Sequence, residues 1–292
     1  MKTVIILAAL IALCSAVKWT DLRARWNGMK TTPEDSFFQI PRTASSAIAE
    51  GWVRVEGVND HPVDVFCLEN DGRFCIITDS FGNIAGFEFG IPASDIENKG
   101  IPYDPSIVPN YKKKTLFGEA YWTVTVYSVD PDVIDAGGRS ETRGLTGTTG
   151  IWIEEGDSYM VVSRHERTMR KELDYHKTKC IPQMGDHYYY AMNETLACSE
   201  FRPIVLLYDG GDLLGVAFQG FGPKSSTKRV WWEPILPSFT RVIAPNSPDC
   251  LVDITAKYNS ISLHIYFVDE PWNISCDNWL VHTVKKIVHT IF

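Results

Sequence analysis

Two stretches of the chain align with each other without a gap and share an arginine, two glycines and a phenylalanine. Arg73–Phe89 reads RFCIITDSFGNIAGFEF, and Arg202–Phe218 reads RPIVLLYDGGDLLGVAF. Each reads as a strand, a glycine-containing turn and a second strand, which predicts a β-hairpin. The inner glycines, Gly86 and Gly215, stand within a strand, where glycine marks a bulge or the close approach of another backbone. The two stretches therefore predict the same hairpin twice.

Two further pairs of stretches recur in the same order. They are Gly51–Gly57 (GWVRVEG) with Gly150–Gly156 (GIWIEEG), and Val124–Asp130 (VTVYSVD) with Leu263–Asp269 (LHIYFVD). The first pair alternates apolar and polar residues and stops at Glu-Gly, as a strand entering a turn does. Three matched pairs in one order favour an internal duplication. The alternative is convergence, because hairpins reuse the same turn residues.

The predicted fold class is α+β, mainly β, with two related antiparallel β-sheet units and a few peripheral helices. We place the first unit at residues 17–140 and the second at 141–292, with an insertion near 157–201. The joint is the Gly-, Ser- and Thr-rich stretch 137–150, a composition typical of connectors. The best helix candidates are residues 21–29, 165–177, 250–258 and 279–292.

Composition excludes several classes of protein. The chain has 292 residues, 45% of them hydrophobic and 22% charged, so it is not intrinsically disordered. Its formal net charge of -8 argues against a nucleic-acid partner, because neutralising phosphates needs a basic face.

The N-terminus predicts export. Met1 and Lys2 form a short basic start, Thr3–Leu13 is an apolar run, and Cys14–Ala16 is a small-residue stop. This is the pattern of a secretory signal peptide over residues 1–16, cleaved after Ala16. The apolar run is shorter than the roughly 20 residues that a membrane-spanning helix needs. The alternative is a buried N-terminal helix. The predicted product is secreted, extracellular and without a membrane span.

Six cysteines remain after the predicted cleavage, and an even number in an oxidising compartment predicts three disulfides. They are Cys67, Cys75, Cys180, Cys198, Cys250 and Cys276. Six cysteines allow fifteen pairings, of which bonds between chain neighbours are the simplest. The sequons at Asn193 and Asn273 predict two N-glycosylation sites.

Motifs for nucleophilic, zinc-dependent or nucleotide-dependent chemistry do not occur, and we predict neither a metal nor a cofactor. The remaining catalytic candidates are His187, His264 and Asp186. Alternation in the strand places His264 and Tyr266 opposite an apolar set, towards solvent or a cavity. If His187 approached His264, an acid–base or metal site would become possible, although a histidine among aromatic residues is more often structural.

Aromatic residues suggest a binding role, because they offer a large contact area at little entropic cost. The candidate ligand-binding residues are Tyr188, Tyr190, Arg202 and Tyr266. Core packing is the alternative role for most of the aromatic residues.

Residues 180–218, with the run CIPQMGDHYYY, resemble a group of uncharacterised secreted arthropod proteins, and the likeness extends over most of the mature chain. The same segment also resembles a bacterial domain of unknown function with an M-G-x-H-Y signature. Neither group has an established activity. The resemblance implies a shared scaffold with Met184, Gly185, His187 and Arg202 at its signature positions. The first half of the chain has no M-G-x-H-Y run.

Together these patterns predict a secreted, disulfide-bonded, non-catalytic glycoprotein that binds a small apolar or carbohydrate ligand. One alternative is a hydrolase or isomerase centred on His187. Another is a structural component of a secreted fluid such as saliva, venom or gut fluid. The sequence indicates no particular oligomeric state.

Overall fold

A computed structural model of the chain describes residues 17–25, 30, 32–56, 59–142 and 144–276. The predicted signal peptide and the predicted helix 279–292 lie outside the described residues. The described part is mainly β, as predicted, and forms two antiparallel sheets of eight strands each.

Alternating or continuous runs of apolar and β-branched residues form the strands. In chain order these are β1 (Arg23–Arg25), β2 (Phe37–Gln39), β3 (Trp52–Val55), β4 (Asp64–Leu68), β5 (Asp71–Thr78), β6 (Ile84–Pro92), β7 (Lys112–Leu116), β8 (Glu119–Tyr127), β9 (Gly150–Glu155), β10 (Ser158–Ser163), β11 (Tyr175–Ile181), β12 (Gly185–Tyr190), β13 (Ile204–Asp209), β14 (Asp212–Phe221), β15 (Glu233–Ile235) and β16 (Ser260–Tyr266). The α-helices are α1 (Ala44–Ala49), α2 (Ala93–Ile96), α3 (Pro131–Asp135), α4 (Glu166–Glu172), α5 (Pro237–Ile243) and α6 (Asp249–Tyr258). Short 3₁₀-helices lie at Pro33–Ser36, Pro105–Ile107, Cys198–Glu200 and Pro271–Asn273.

The two sheets have the same strand order. The first runs β3-β4-β5-β6-β8-β9-β10, with β7 also paired to β8. The second runs β11-β12-β13-β14-β16-β1-β2, with β15 also paired to β16. Strands β3–β8 therefore correspond in order to β11–β16, and the hairpin β9–β10 corresponds to β1–β2. The N-terminal hairpin thus completes the sheet built from the C-terminal half of the chain.

One of the three matched pairs of stretches does not form equivalent strands. The counterpart of β3 is β11, whereas the stretch at 150–156 forms β9 in the same sheet as β3. An alternating run that ends in Glu-Gly indicates a strand followed by a turn, but it does not identify the position of that strand in the sheet. The division of the chain at residues 140 and 141 stays a prediction, while β9 and β10 belong to the first sheet.

The other two matches occupy equivalent places. Gly86 pairs with Tyr127, and Gly215 pairs with Tyr266. Both hairpins also shift register beside the inner glycine, after Ile77 in one and after Leu207 in the other. A Cβ atom on Gly215 would lie 2.0 Å from the carbonyl oxygen of Ile265. The close backbone approach predicted from the sequence therefore requires glycine there.

Aromatic rings fill the space between the sheets. Phe89 and its counterpart Phe218 stack on each other at 5.1 Å. Phe87 and Phe267 lie 6.1 Å apart, and all four rings are fully buried. Burying each such ring stabilises the fold by roughly 1.5–3 kcal/mol.

Two predicted helices differ in the structure. Residues 23–25 form β1, because Leu22 and Ala24 alternate with Arg23 and Arg25 and the strand pairs on both sides. Residues 26–29 lie outside the described part. In the run 165–177 only α4 is helical, and β11 begins at Tyr175. The predicted helix at 250–258 is confirmed as α6.

Three disulfides are present, and two of the simplest pairings are wrong. Cys67 bonds to Cys75 across β4 and β5, as expected. Cys180 bonds to Cys276, with a Cα–Cα distance of 5.7 Å, and Cys198 bonds to Cys250 at 6.1 Å. Cys180 lies on β11 and Cys198 follows β12, and each bonds to a partner that is remote in sequence and near in space.

Candidate functional site

The two candidate histidines meet on the outer face of the second sheet. The rings of His187 on β12 and His264 on β16 lie 5.8 Å apart, edge to face. Three steps in the strand order separate β12 from β16, which would be about 14 Å in a flat sheet. Gly215 and Ala217 are the β14 residues in this region, and their small size leaves room for the rings.

A buried ion pair adjoins the histidines. Arg25 donates from Nη1 to both carboxylate oxygens of Glu233, at 2.7 and 2.8 Å. Nδ1 of His264 lies 3.4 Å from Oε2 of the same carboxylate. Sequence reasoning missed Arg25 and Glu233, which lie 208 positions apart on three-residue strands. The one available signal was the alternation of Arg23 and Arg25 with Leu22 and Ala24.

The first sheet holds the same pair with the charges exchanged. Strand register makes Lys112 the counterpart of Glu233, because they pair with the equivalent residues Thr123 and Ser262. Glu154 occupies the place of Arg25, and its carboxylate lies 3.6 Å from Nζ of Lys112. Thr125 stands where the second sheet has His264, so the paired histidines belong to the second sheet alone.

The C-terminal segment covers this outer face. Gln183, in the β11–β12 turn, donates its backbone N–H to the carbonyl of Ile274, and the Cys180–Cys276 bond fixes the same segment. The Tyr266 hydroxyl donates to carbonyls of the same turn at 3.4 Å. His264 does face away from the apolar set, as alternation predicts, but it is only 6% exposed and Tyr266 is fully buried. Of the two expected environments, solvent or a cavity, solvent is wrong, because both side chains are buried.

Burial controls the charge of His187. The side chain is 2% exposed, and its Nδ1 lies 3.0 Å from the carbonyl oxygen of Gly185, which accepts a hydrogen bond from it. Desolvation, reinforced by the neighbouring His264, lowers the pKa of His187 to about 3. The imidazole is therefore neutral near pH 7, so at that pH it lacks the imidazolium proton that a histidine general acid donates.

This pKa predicts a specific acid sensitivity. The folded-state pKa lies below the ordinary value of 6.5, so the unfolded chain binds the proton more readily. The stabilisation is complete above pH 6.5 and is lost as the pH falls towards 3. We expect the free energy of unfolding of the wild type to fall, relative to His187→Asn, by about 1.4 kcal/mol per pH unit below 6.5. Urea unfolding at pH 7.0, 6.0 and 5.0 measures this difference. Parallel stability curves for the two proteins would contradict it.

The other candidate residues lie apart from this cluster. Asp186 and Tyr188 flank His187 on β12, so their side chains project from the face of the sheet opposite to that of His187. Asp186 bonds to Lys177 at 2.6 Å, and the Tyr188 hydroxyl donates to Glu166. Alternation therefore places the candidate Asp186 on the face opposite the His187 imidazole.

Tyr190 and Arg202 form a contact between the sheets. The Arg202 guanidinium lies 4.7 Å from the centre of the Tyr190 ring. It also donates to Asn110 at 3.0 Å and to Glu155 on β9. The four predicted ligand-binding residues thus occupy three separate environments, and their role stays a prediction.

An open groove lies elsewhere, at the edge of the first sheet. Its volume is about 730 Å³, within the roughly 300–1,000 Å³ usual for small-ligand sites. The apolar wall contains Trp19, Leu145, Trp152 and Val161, and the polar rim includes Arg164, His165, Glu172 and Asp212. Sequence reasoning missed this groove, because the N-terminal segment, β9, β10, α4 and β14 meet only in the fold.

Val161 and Trp152 define the open side of the groove. They are directly opposite each other in the β9–β10 pair, so their side chains share one face of the sheet. Val161 is 52% exposed, on the edge strand β10. On the other wall of the groove, the Arg164 guanidinium stacks over the Trp19 ring at 4.4 Å and holds both side chains in place.

Both predicted glycosylation sites are exposed. The side-chain oxygen of Asn193 accepts hydrogen bonds from the backbone N–H and the hydroxyl of Thr195, at 2.8 and 2.7 Å. Asn273 lies in the exposed part of the last 3₁₀-helix. Modification of either residue stays a prediction.

No cluster of three or more His, Cys, Asp or Glu side chains suited to a metal occurs between residues 17 and 276, within the ranges described above. The helices in those same ranges are all too short or too polar to cross a membrane. No protein-family model, curated protein or solved structure matches the chain significantly. The resemblance to secreted arthropod proteins therefore stays a prediction.

Proposed function

We propose that the protein is a secreted, disulfide-bonded binding protein that takes a small, mainly apolar ligand in the groove beside β9 and β10. Three disulfides, and no membrane-spanning helix in the described part of the chain, are compatible with an extracellular protein. The observation that carries the proposal is the groove itself, with its size and its aromatic and aliphatic wall.

The chemistry of the groove selects the ligand class. Trp19 is fully buried and Trp152 is 8% exposed, so the exposed apolar surface comes mainly from Leu145 and Val161, which are 42% and 52% exposed in the same place. Covering exposed apolar area gives roughly 25 cal/mol per Å², so an apolar molecule gains most from this wall. The charged rim orients a polar end of the ligand and does not favour a wholly apolar one.

A carbohydrate is the second ligand class that tryptophan side chains can hold. The Trp19 ring already lies against Arg164 and Phe267, so its faces are largely used within the protein. Trp152 is then the main aromatic surface left for a sugar. We therefore favour the apolar ligand and treat glycan binding as the contrary outcome of the test.

Binding of an apolar fluorescent probe tests the proposal. We expect the folded protein to bind the uncharged apolar probe N-phenyl-1-naphthylamine saturably at one site. Val161→Lys should weaken this affinity by about tenfold or more, since it places a charge beside the apolar wall. Tryptophan fluorescence and probe titration measure both quantities. The change lies on an exposed edge position and should leave the melting temperature unchanged.

The matched control is Val133→Lys, an exposed valine on α3 away from the groove, which should bind like the wild type. Equal loss in both variants would refute the groove as the site. Absence of saturable probe binding, together with specific binding on a soluble glycan array, would replace the apolar ligand by a carbohydrate.

A further inference from the structure

The first described residues form an ordered segment inserted between the sheets. The Trp19 ring is fully buried, and its Nε1 donates to the carbonyl of Leu213 at 2.9 Å. The backbone carbonyl of Trp19 accepts a hydrogen bond from the backbone N–H of Thr146 at 2.7 Å. The ring also packs against Phe267, 4.4 Å away. The start of this segment is therefore held in one place by the core.

This anchoring brings the backbone nitrogen of Val17 to a buried carboxylate. Val17 N donates to Oδ2 of Asp212 at 3.4 Å, and Asp212 is only 4% exposed. The carbonyl of Val17 accepts a hydrogen bond from the guanidinium of Arg164, which fixes the residue from its other side. Both backbone groups of Val17 are thus positioned by neighbouring side chains.

The sequence predicts that cleavage falls at this residue. A signal peptide removed after Ala16 would turn the Val17 amide nitrogen into an α-ammonium group with three protons and a positive charge. The same nitrogen would then face Asp212 as a cation instead of as a neutral peptide group. The signal-peptide pattern that predicts the cleavage site and the hydrogen bonds that position the Val17 nitrogen are separate observations.

We propose that removal of the leader creates an internal ion pair between the Val17 α-ammonium and the Asp212 carboxylate, and that this pair completes the mature fold at the wall of the groove. The inference rests on the proposed export of the chain and not on the ligand. A charge-assisted hydrogen bond is about twice as strong as one from a neutral amide, so the processed chain is the more stable one.

The surrounding charges are compatible with this pair. Oδ1 of Asp212 lies 3.4 Å from Nδ1 of His165, whose side chain is mostly exposed, so Oδ2 is the oxygen that faces Val17. Burial lowers the pKa of the Arg164 guanidinium, and the Asp212 carboxylate opposes that shift. Glu172 on α4 lines the same groove. The Val17 ammonium would therefore lie among both acidic and basic side chains, and Asp212 would be its direct partner.

The test compares two chains that differ by one natural residue. One begins at Val17, and the other begins at Ala16, so that its Val17 nitrogen remains an amide. We expect the Val17 chain to melt about 2–4 °C higher. Asp212→Asn should abolish the difference, whereas Asp157→Asn, in the exposed β9–β10 turn, should leave it unchanged. Equal melting temperatures, or a difference that survives Asp212→Asn, would overturn the inference.

Two further measurements keep the test decisive if Asp212→Asn fails to fold. The α-amine of the native Val17 chain should acylate about tenfold more slowly than that of the Ala16 chain, since an ion-paired ammonium gives up its proton less readily. Equal rates would contradict the ion pair. N-terminal sequencing of the exported protein should begin at Val17. A different first residue would overturn the inference, while probe binding in the groove would still be judged by its own variants.

Discussion

Arg25→Met is expected to reduce the free energy of unfolding by about 3–5 kcal/mol, because it removes the guanidinium that neutralises the buried Glu233 carboxylate. Arg25 is 2% exposed and Glu233 8%, so solvent screens the pair little. Both oxygens of Glu233 accept from the same guanidinium nitrogen, so a single change removes two hydrogen bonds. Urea unfolding at pH 7 measures the loss.

The double variant Arg25→Met with Glu233→Met separates this cause from a general packing defect. Replacing both charges with apolar groups removes the desolvation cost, so most of the stability should return. A control comes from the exposed pair Lys228–Glu69, whose side chains are more than half exposed. Lys228→Met should cost less than about 1 kcal/mol. A double variant as unstable as Arg25→Met would show that the charges are not the cause.

Removing the Cys180–Cys276 bond is expected to have an effect of similar size. In the chain-entropy treatment, a bond across 96 positions stabilises by about 4.7 kcal/mol, against about 2.6 kcal/mol for the eight-position Cys67–Cys75 loop. Cys180→Ala with Cys276→Ala should therefore lower the unfolding free energy more than the corresponding change at Cys67 and Cys75. Thermal and urea unfolding of the two double variants give the comparison.

The same bond holds the segment that covers the outer face of the second sheet, which adds a second readout. Without the bond, water should reach His187, and its pKa should rise from about 3 towards 6.5. An NMR titration of the imidazole follows this change. A non-reducing peptide map that joins Cys180 to Cys198 would contradict both the order of stabilities and the role of the bond.

Local turn chemistry explains which parts of the fold could be predicted. The hairpins at 73–89 and 202–218 were predictable because their glycines and alternation lie within one short window. The sequence predicts a helix over residues 21–29 where β1 lies, because a three-residue strand is too short to display its period. Disulfide partners 52 and 96 positions apart leave no local trace in the sequence.

The candidate site was predictable to the same limited extent. The contact between His187 and His264 was anticipated as a possibility, since alternation placed His264 away from the apolar face. Arg25 and Glu233 were missed because their contact depends on β1 and β15 both adding to β16. The groove was missed for the same reason, because its walls come from distant segments that meet only after both sheets have formed.

The hairpin β1–β2 has a consequence for synthesis and translocation. Its neighbour in the sheet is β16, at residues 260–266, although the hairpin itself begins at residue 23. The strands of the first sheet lie within residues 52–163 and can pair as they emerge, whereas β1 must wait for nearly the whole polypeptide. A ribosome that stalls before residue 260 therefore releases a product whose N-terminal strands have no sheet to join.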